Sequence, residues 1–433
     1  MARVAARPAH NSLVSDKGAS AVSPAELQAA LHLGDVDVEE LVELLTRHFG
    51  SSRWETPREI GFPSHGEEAL TLGFSKDLKT MSQVKPGPLL DRPALDALSE
   101  KIASALISTT GPRVGAFVVI VGRPMLGVWR YQDHLQLGPV PAAAPRPEFL
   151  LADHPAVLQF PYRTSPEWEV NLRRRLAAGT RWGKRLNLLV RGNLDVADIR
   201  SRHHWVLVPD EGGRLQSRFL QAGYWLEDFL IDRDALSDED VPQVPRIDAE
   251  TYYGRIGTLD PATRDQFTLP EPIDGLVRSM EALPLVESLR LDRAAYWFHY
   301  ATAVAGHYSG SAAAVALGAT VEAMTEGEPP GARCEKCDKE IRGPTAKFVD
   351  FLAAHLVSDD AIAARRLYFE FYELRSRPAH GGLLDSDAVW PAFVPGSLED
   401  SDRLRDLYRY VRLALVNWLL ERAPGGGKIR AAT

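Results

Sequence analysis

Cysteine is nearly missing from this sequence: its 433 residues include two, Cys334 and Cys337. They are too close together and too few to staple a secreted fold. No apolar run reaches the ~18 residues that a membrane helix needs. The first residues, with Arg3, Arg7 and His10 among alanines, lack the apolar centre of a secretory leader. A cytoplasmic protein without membrane contact is therefore expected. A general excess of positive charge is lacking too, with 50 Lys and Arg against 58 Asp and Glu and a net charge of −8. Any nucleic-acid contact must then come from a local patch. No internal repeat, no phosphate-cradling loop of P-loop form and no nucleophile elbow occurs.

What is present is the composition of a folded protein, 45% hydrophobic and 25% charged, on a chain long enough for two or three domains with real cores. Residues 1–22 are rich in Ala, Ser and Pro, without periodicity, and are expected to be a disordered tail. Ser23-Pro24-Ala25-Glu26 reads as a helix start, and Leu27 to Leu45 as one broken or two short amphipathic helices ending near Phe49-Gly50. Residues 57–93 are punctuated by Gly and Pro around short apolar pieces such as 69–74, and residues 90–107 read as a helix. Residues 114–121, rich in β-branched side chains, predict a buried strand, and 125–137 a second, more exposed one. Residues 139–147 read as a linker, 167–178 as a helix, 185–190 and 204–208 as strands, and 224–231 as either element. The whole of 23–235 is thus expected to be a mixed α/β module for recognition or sensing.

Residues 236–290, acidic and turn-rich, read as a connector. From Leu291 the pattern turns helical, with apolar stripes that include Phe298, Val304, Val315, Val321, Phe348, Leu352, Leu407 and Trp418. Short linkers between such helices predict a compact bundle over 291–423, before a flexible tail at 424–433. The expected fold class is α+β multidomain, an N-terminal mixed α/β module followed by an all-α bundle.

The most informative stretch lies in that bundle, from Phe369 to Gly382. Ile362, Leu367, Tyr368, Phe371 and Leu374 recur at helical spacing. Pro378 disfavours helix before it, and Gly381-Gly382 supplies the left-handed conformation of helix ends. Arg375 and His380 are therefore expected on the last turn or just past it. The spacing singles nothing out, because Arg58/His65 and Arg293/His299 offer similar gaps. The helix end, the polar Ser376 and the two glycines do. The plain alternative is a helix C-terminus that favours cations through its dipole.

The segment 374–382, Leu-Arg-Ser-Arg-Pro-Ala-His-Gly-Gly, resembles the signature of HEPN domains, and more narrowly of the Apea-like HEPN group associated with abortive infection. Ala316-Leu317-Gly318-Ala319-Thr320-Val321-Glu322-Ala323-Met324 resembles that group's helix with a glutamate in an apolar frame. The likeness covers residues 291–423, and Pro378 and Gly318 depart from its pattern. It implies a metal-independent endoribonuclease, dimeric through the helical domain, serving prokaryotic antiphage defence and held inactive until a phage-derived trigger meets the N-terminal module. It further implies Arg375 and His380 as catalytic residues. His380 would move a proton of the ribose 2′-hydroxyl or of the leaving oxygen, and Arg375 would hold the phosphate charge. Ser376, Glu322 and Tyr372 stand as supporting residues, each with a structural reading beside it. Two rival readings remain open: a non-catalytic HEPN-type module that binds nucleotide or RNA or only dimerises, and a regulatory protein that acts through its N-terminal module.

Cys334-Glu335-Lys336-Cys337 is half of a zinc knuckle. His355, His307 or a second chain's pair would have to complete it, and neither metal nor cofactor is assigned. The densest basic stretch holds Arg173, Arg174, Arg175, Arg181, Lys184 and Arg185, with Trp182 and Trp205 interleaved. Such a stretch either grips an RNA backbone or forms a solvated helix face.

Overall fold

The computed structural model describes residues 22–33, 36–64, 66–75, 81–88, 90–107, 112–121, 123–140, 154–191, 194–196, 203–209, 214–221, 242–254, 265–307, 309–326, 343–384, 387, 397–423 and 427–430. Expectations for residues 1–21 of the N-terminal tail, the linker at 141–147, residues 224–231 and the Cys334/Cys337 pair fall outside these residues, while Val22, expected in the tail, is buried. The chain is mixed α+β and forms two compact units, Met1–Arg113 with Tyr162–Arg175, and Val114–Pro161 with Leu176–Thr433.

In the first unit, helix α1 (Pro24–Ala30) starts on a complete capping box between Ser23 and Glu26. Helix α2 (Val38–Phe49) is capped by Asp37 and ends on Gly50 at φ 82. Residues 53–86 form a four-stranded antiparallel meander, β1 (Arg53–Thr56), β2 (Glu59–Ser64), β3 (Glu67–Phe74) and β4 (Met81–Pro86). The sequence showed only fragments here because Gly61, Pro63 and Gly73 lie within the strands themselves and break up their pattern. A Cβ at Gly87 would meet the backbone of Glu68, so the chain leaving β4 can pass β3 only as glycine. Helix α3 (Arg92–Ile102) continues into a π-helical turn, Ala103–Ile107. Orphaned carbonyls of that turn are taken up by Ser165 Oγ, 2.6 Å from the Ala105 oxygen, and by Arg174, 2.8 Å from the Leu106 oxygen. Leu27, Leu41, Leu45, Phe62, Leu70, Leu98 and Ile102 form the core of this unit.

Helix α4 (Trp168–Leu189) begins in the first unit's sequence and ends in the second's. The strand expected over 185–190 is therefore helix. Trp182, Leu186 and Leu189 continue one helical stripe, and the buried Arg185 and Asn187 find partners beside it. The single exposed strand expected over 125–137 is instead a hairpin, β6 (Trp129–Tyr131) and β7 (Leu135–Pro139), turning at Gln132 with φ 48. It is mostly buried. With β5 (Pro112–Val121), β8 (Pro155–Arg163) and β9 (Leu194–Val196) it makes a five-stranded sheet of order β6-β7-β8-β5-β9. A separate hairpin pairs β10 (His203–Pro209) with β11 (Leu215–Gln221).

The described part of the expected connector is built into the second unit's core. Strand β12 (Arg246–Ile247) pairs in parallel with β13 (Leu269–Pro270), and α5 (Ala249–Tyr253) and α6 (Ile273–Glu281) follow the same path. Tyr252, Ile273 and Leu276 are fully buried in one cluster with the sheet and the C-terminal helices. Charge and turn residues made this segment look solvated, while its few aromatic and aliphatic side chains do the packing. The remaining helices are α7 (Leu285–His307), α8 (Gly310–Thr325), α9 (Pro344–His355), α10 (Ala361–Ala379) and α11 (Ser397–Leu420). Helix α8 is central, packing against α7, α9, α10 and α11. Its alanines and Gly318 let four neighbours approach closely. Among the described residues no helix is long and apolar enough to cross a membrane.

Candidate active site

Helix α10 is fixed at both ends. Asp360 accepts from the amides of Ile362 and Ala363, both at 3.0 Å. Tyr368, Phe371 and Leu374 bury one stripe. The sequence predicted a stop before Pro378, but the helix runs one residue past it. Proline removes a single donor in the last turn, and the turn closes through others. Gly381, at φ 90, donates to the Pro378 carbonyl at 3.1 Å, and Gly382 to the Arg377 carbonyl at 3.0 Å. This is a Schellman ending, with His380 as its cap residue.

Arg375 turns inward. Its guanidinium pairs with Glu322 on α8 and stacks over the Tyr372 ring at 4.9 Å. Its side chain is only 15% exposed, and burial holds its pKa below the usual arginine value. Nε is shielded from solvent without a hydrogen-bond partner. Gly318 makes this passage possible, since a Cβ there would collide with Arg375 Cγ and lie 2.8 Å from Nε. The glycine that departs from the resembled pattern is thus the gap through which the arginine reaches its glutamate. Alanine normally stabilises a helix interior by ~0.5–1 kcal/mol over glycine. Gly318→Ala is expected to do the reverse and cost about 1–3 kcal/mol through overpacking. Chemical denaturation checks the sign, and a stabilised variant contradicts this account.

His380 is exposed. Residues five apart on a helix project about 140° apart around its axis, so Arg375 and His380 do not share a face within one chain. The structure therefore gathers Arg375, Glu322 and Tyr372, and leaves His380 apart. Ser376 is half-buried beside Arg375, and its carbonyl accepts from the His380 amide at 3.2 Å.

Two carboxylates unmarked by the sequence hold this region. Asp400, on α11, takes Arg377 at 2.9 Å. Asp387 caps α8, accepting from Ser309 Oγ at 2.7 Å and from the amides of Gly310 and Ser311 at 2.7 and 2.8 Å. Burial would raise the Asp387 carboxyl, but these hydrogen bonds outweigh it and hold its pKa below the ordinary value. Ser311 Oγ in turn accepts from the Leu384 amide at 2.8 Å. The segment after His380-Gly381 is thus tied to the start of the glutamate helix. No spacing rule signals either aspartate, because each partner lies at least twenty residues away.

The basic stretch is largely spent inside the protein. Arg173 pairs with Glu39 at 2.7 Å and with Glu43. Arg174 grips Glu40 at 2.7 Å with both partners nearly buried. Arg175 is half-buried. Arg185, 6% exposed, pairs with Asp292 at 2.6 Å and donates to Ser288 at 2.6 Å. Trp182, which looked like an interleaved base platform, is core. Arg181 is exposed but also reaches Asp292 at 3.3 Å, and Lys184 is half-buried. Lys184 lies 4.5 Å over the ring of Tyr296, an exposed neighbour of Trp297 and Tyr300 on α7. The rival Arg293/His299 pair is also occupied, Arg293 with Glu326 at 2.8 Å and His299 beside Asn187 at 3.4 Å. Among the described residues no group of three or more His, Cys, Asp or Glu is arranged to hold a metal. Comparison of the chain with family models, with curated proteins and with solved structures returns no match.

Proposed function

We propose that this chain is an endoribonuclease of HEPN type. The observation that carries the reading is an exposed histidine presented on a rigid, Schellman-capped helix end, one turn beyond an arginine held in a dedicated gap. In the proposed reaction His380 takes the proton of a ribose 2′-hydroxyl. The freed oxygen attacks the adjacent phosphorus, the bond to the 5′-oxygen breaks, and that oxygen leaves with the proton returned by His380. The products are a 2′,3′-cyclic phosphate and a 5′-hydroxyl, and no metal is needed. Because Arg375 and His380 diverge within one chain, the reaction centre is a cleft between two copies, as the resemblance implies. Arg375 reaches a phosphate there by exchanging Glu322 for it. The exposed aromatic side chains of Tyr296, Trp297 and Tyr300, with Lys184 and Arg181 nearby, offer a path for the RNA strand. Cytoplasmic antiphage defence, triggered through the N-terminal module, is the setting the resemblance suggests.

A second reading has its own support. The Arg375–Glu322 pair also fastens α10 to α8, as a non-catalytic HEPN-type module would use it. Incubating the purified protein with total RNA in EDTA separates the two. Fragments ending in 2′,3′-cyclic phosphate are expected, and strict dependence on added metal, or intact RNA, contradicts the enzyme.

A further inference from the structure

Among the described residues, arginines lie near one another in the second unit and none of the ion pairs there takes in Arg191 or Arg412. Arg412, on α11, stacks over Phe298 at 5.0 Å. Its Nε is shielded from solvent and has no hydrogen-bond partner. Arg191, just beyond α4, lies 5.4 Å over the Tyr252 ring. Its amide donates to Tyr252 Oη at 2.6 Å, and Nη2 reaches the carbonyls of Thr251 and Gly254. Its Nη1 is likewise buried and unpartnered. Arg123 is close enough to add its repulsion.

The groups that face these cations are phenols. Tyr252, Tyr253 and Tyr408 lie near enough to act on Arg412, and burial pushes their own pKa values up, that of Tyr252 to about 12. At neutral pH they are uncharged and compensate nothing. Burial and the neighbouring arginines bring Arg191 down to about 10, still well charged. Among the described residues neither Arg191 nor Arg412 pairs with an acid. Arg123, Arg191 and Arg412 are all half-buried, and a charge drawn partly out of water without a counter-charge is costly to a fold, to which the repulsion between these arginines adds. Such a cluster is expected where an anion supplies the missing charge.

We propose that Arg123, Arg191 and Arg412 form a binding site for the phosphate group of a small phosphorylated ligand. Planar guanidinium forks match phosphate oxygens in pairs, and the rings of Phe298 and Tyr252 hold two of those planes in place. The side chains of Arg191 and Arg412 are only partly exposed, which favours a compact phosphate group over a polymer strand. No residue of the cluster is among those assigned to the proposed cleavage centre.

Titration of the full-length protein with inorganic pyrophosphate tests this. Saturable binding is expected, with a melting temperature that rises with the logarithm of ligand concentration. Arg412→Met keeps apolar bulk and removes the charge. It is expected to weaken binding by about tenfold or more while leaving the unliganded protein as stable or more stable. Arg123→Gln, at a half-buried position, is expected to weaken binding as well. Absence of saturable binding at millimolar pyrophosphate, or wild-type affinity in both variants, overturns the site. A destabilised unliganded Arg412→Met with unchanged Arg123→Gln affinity makes the cluster structural and overturns it too. Competition by a single-stranded oligonucleotide as tight as pyrophosphate would assign the arginines to RNA instead. None of these outcomes depends on RNA cleavage.

Discussion

His380→Ala is expected to lower RNA cleavage by about a hundred- to ten-thousand-fold, the range of a lost proton-transfer group. The fold should survive. The side chain is exposed, and the bonds that end α10 come from the His380, Gly381 and Gly382 amides, which alanine leaves in place. The variant should therefore melt and dimerise like the parent. Cleavage that persists at the parental rate in a folded variant removes His380 from the site. Loss of dimerisation together with cleavage would favour the module that only associates. The contrast with Arg375 is informative, because that residue is packed as well as charged. Its removal strips Glu322 of its partner, so a loss of activity there could not by itself be read as chemistry.

The largest stability effect is expected away from this site, at Arg174. Its Nε lies 2.8 and 3.1 Å from the two Glu40 oxygens, and Nη2 lies 2.7 Å from one of them. The same guanidinium donates to the carbonyls of Thr164 at 3.2 Å and Leu106 at 2.8 Å. The two side chains are 11% and 12% exposed, so solvent screens the pair little. Arg174→Ala leaves a nearly buried carboxylate and two carbonyls without donors, and should cost about 3–5 kcal/mol. Lysine should restore little, since a point charge cannot reproduce the fork. Hydrogen exchange over α1–α3 and the meander is the readout. A cost below about 1 kcal/mol, with a clear loss of RNA affinity, would return Arg174 to the role of an RNA contact.

The ends of α1, α2 and α10 are legible because their partners lie within four or five residues. Ser23 and Glu26 cap each other, Asp37 caps α2, and Gly381-Gly382 closes α10. Strand 203–209 is legible from its β-branched and aromatic run. The segment 185–190 is not, because its apolar residues suit a strand or the last turns of a helix equally well. Only its continuity with the stripe through Trp182 decides.

For the candidate site, the sequence alone determined that Arg375 and His380 would flank a helix end, since proline, glycine and apolar spacing act locally on the backbone. Only the tertiary structure decided where the two side chains go. Arg375 turns inward because Gly318, far back in the chain, leaves room beside Glu322, while His380 faces outward at the cap. In the same way it decided that Arg173 and Arg174 answer Glu39, Glu40 and Glu43, and that Arg191 and Arg412 meet no acid among the described residues. Backbone conformation is governed by neighbours along the chain. The neutralisation of a charge depends on which distant side chain packing brings within hydrogen-bond reach, and no local pattern records that.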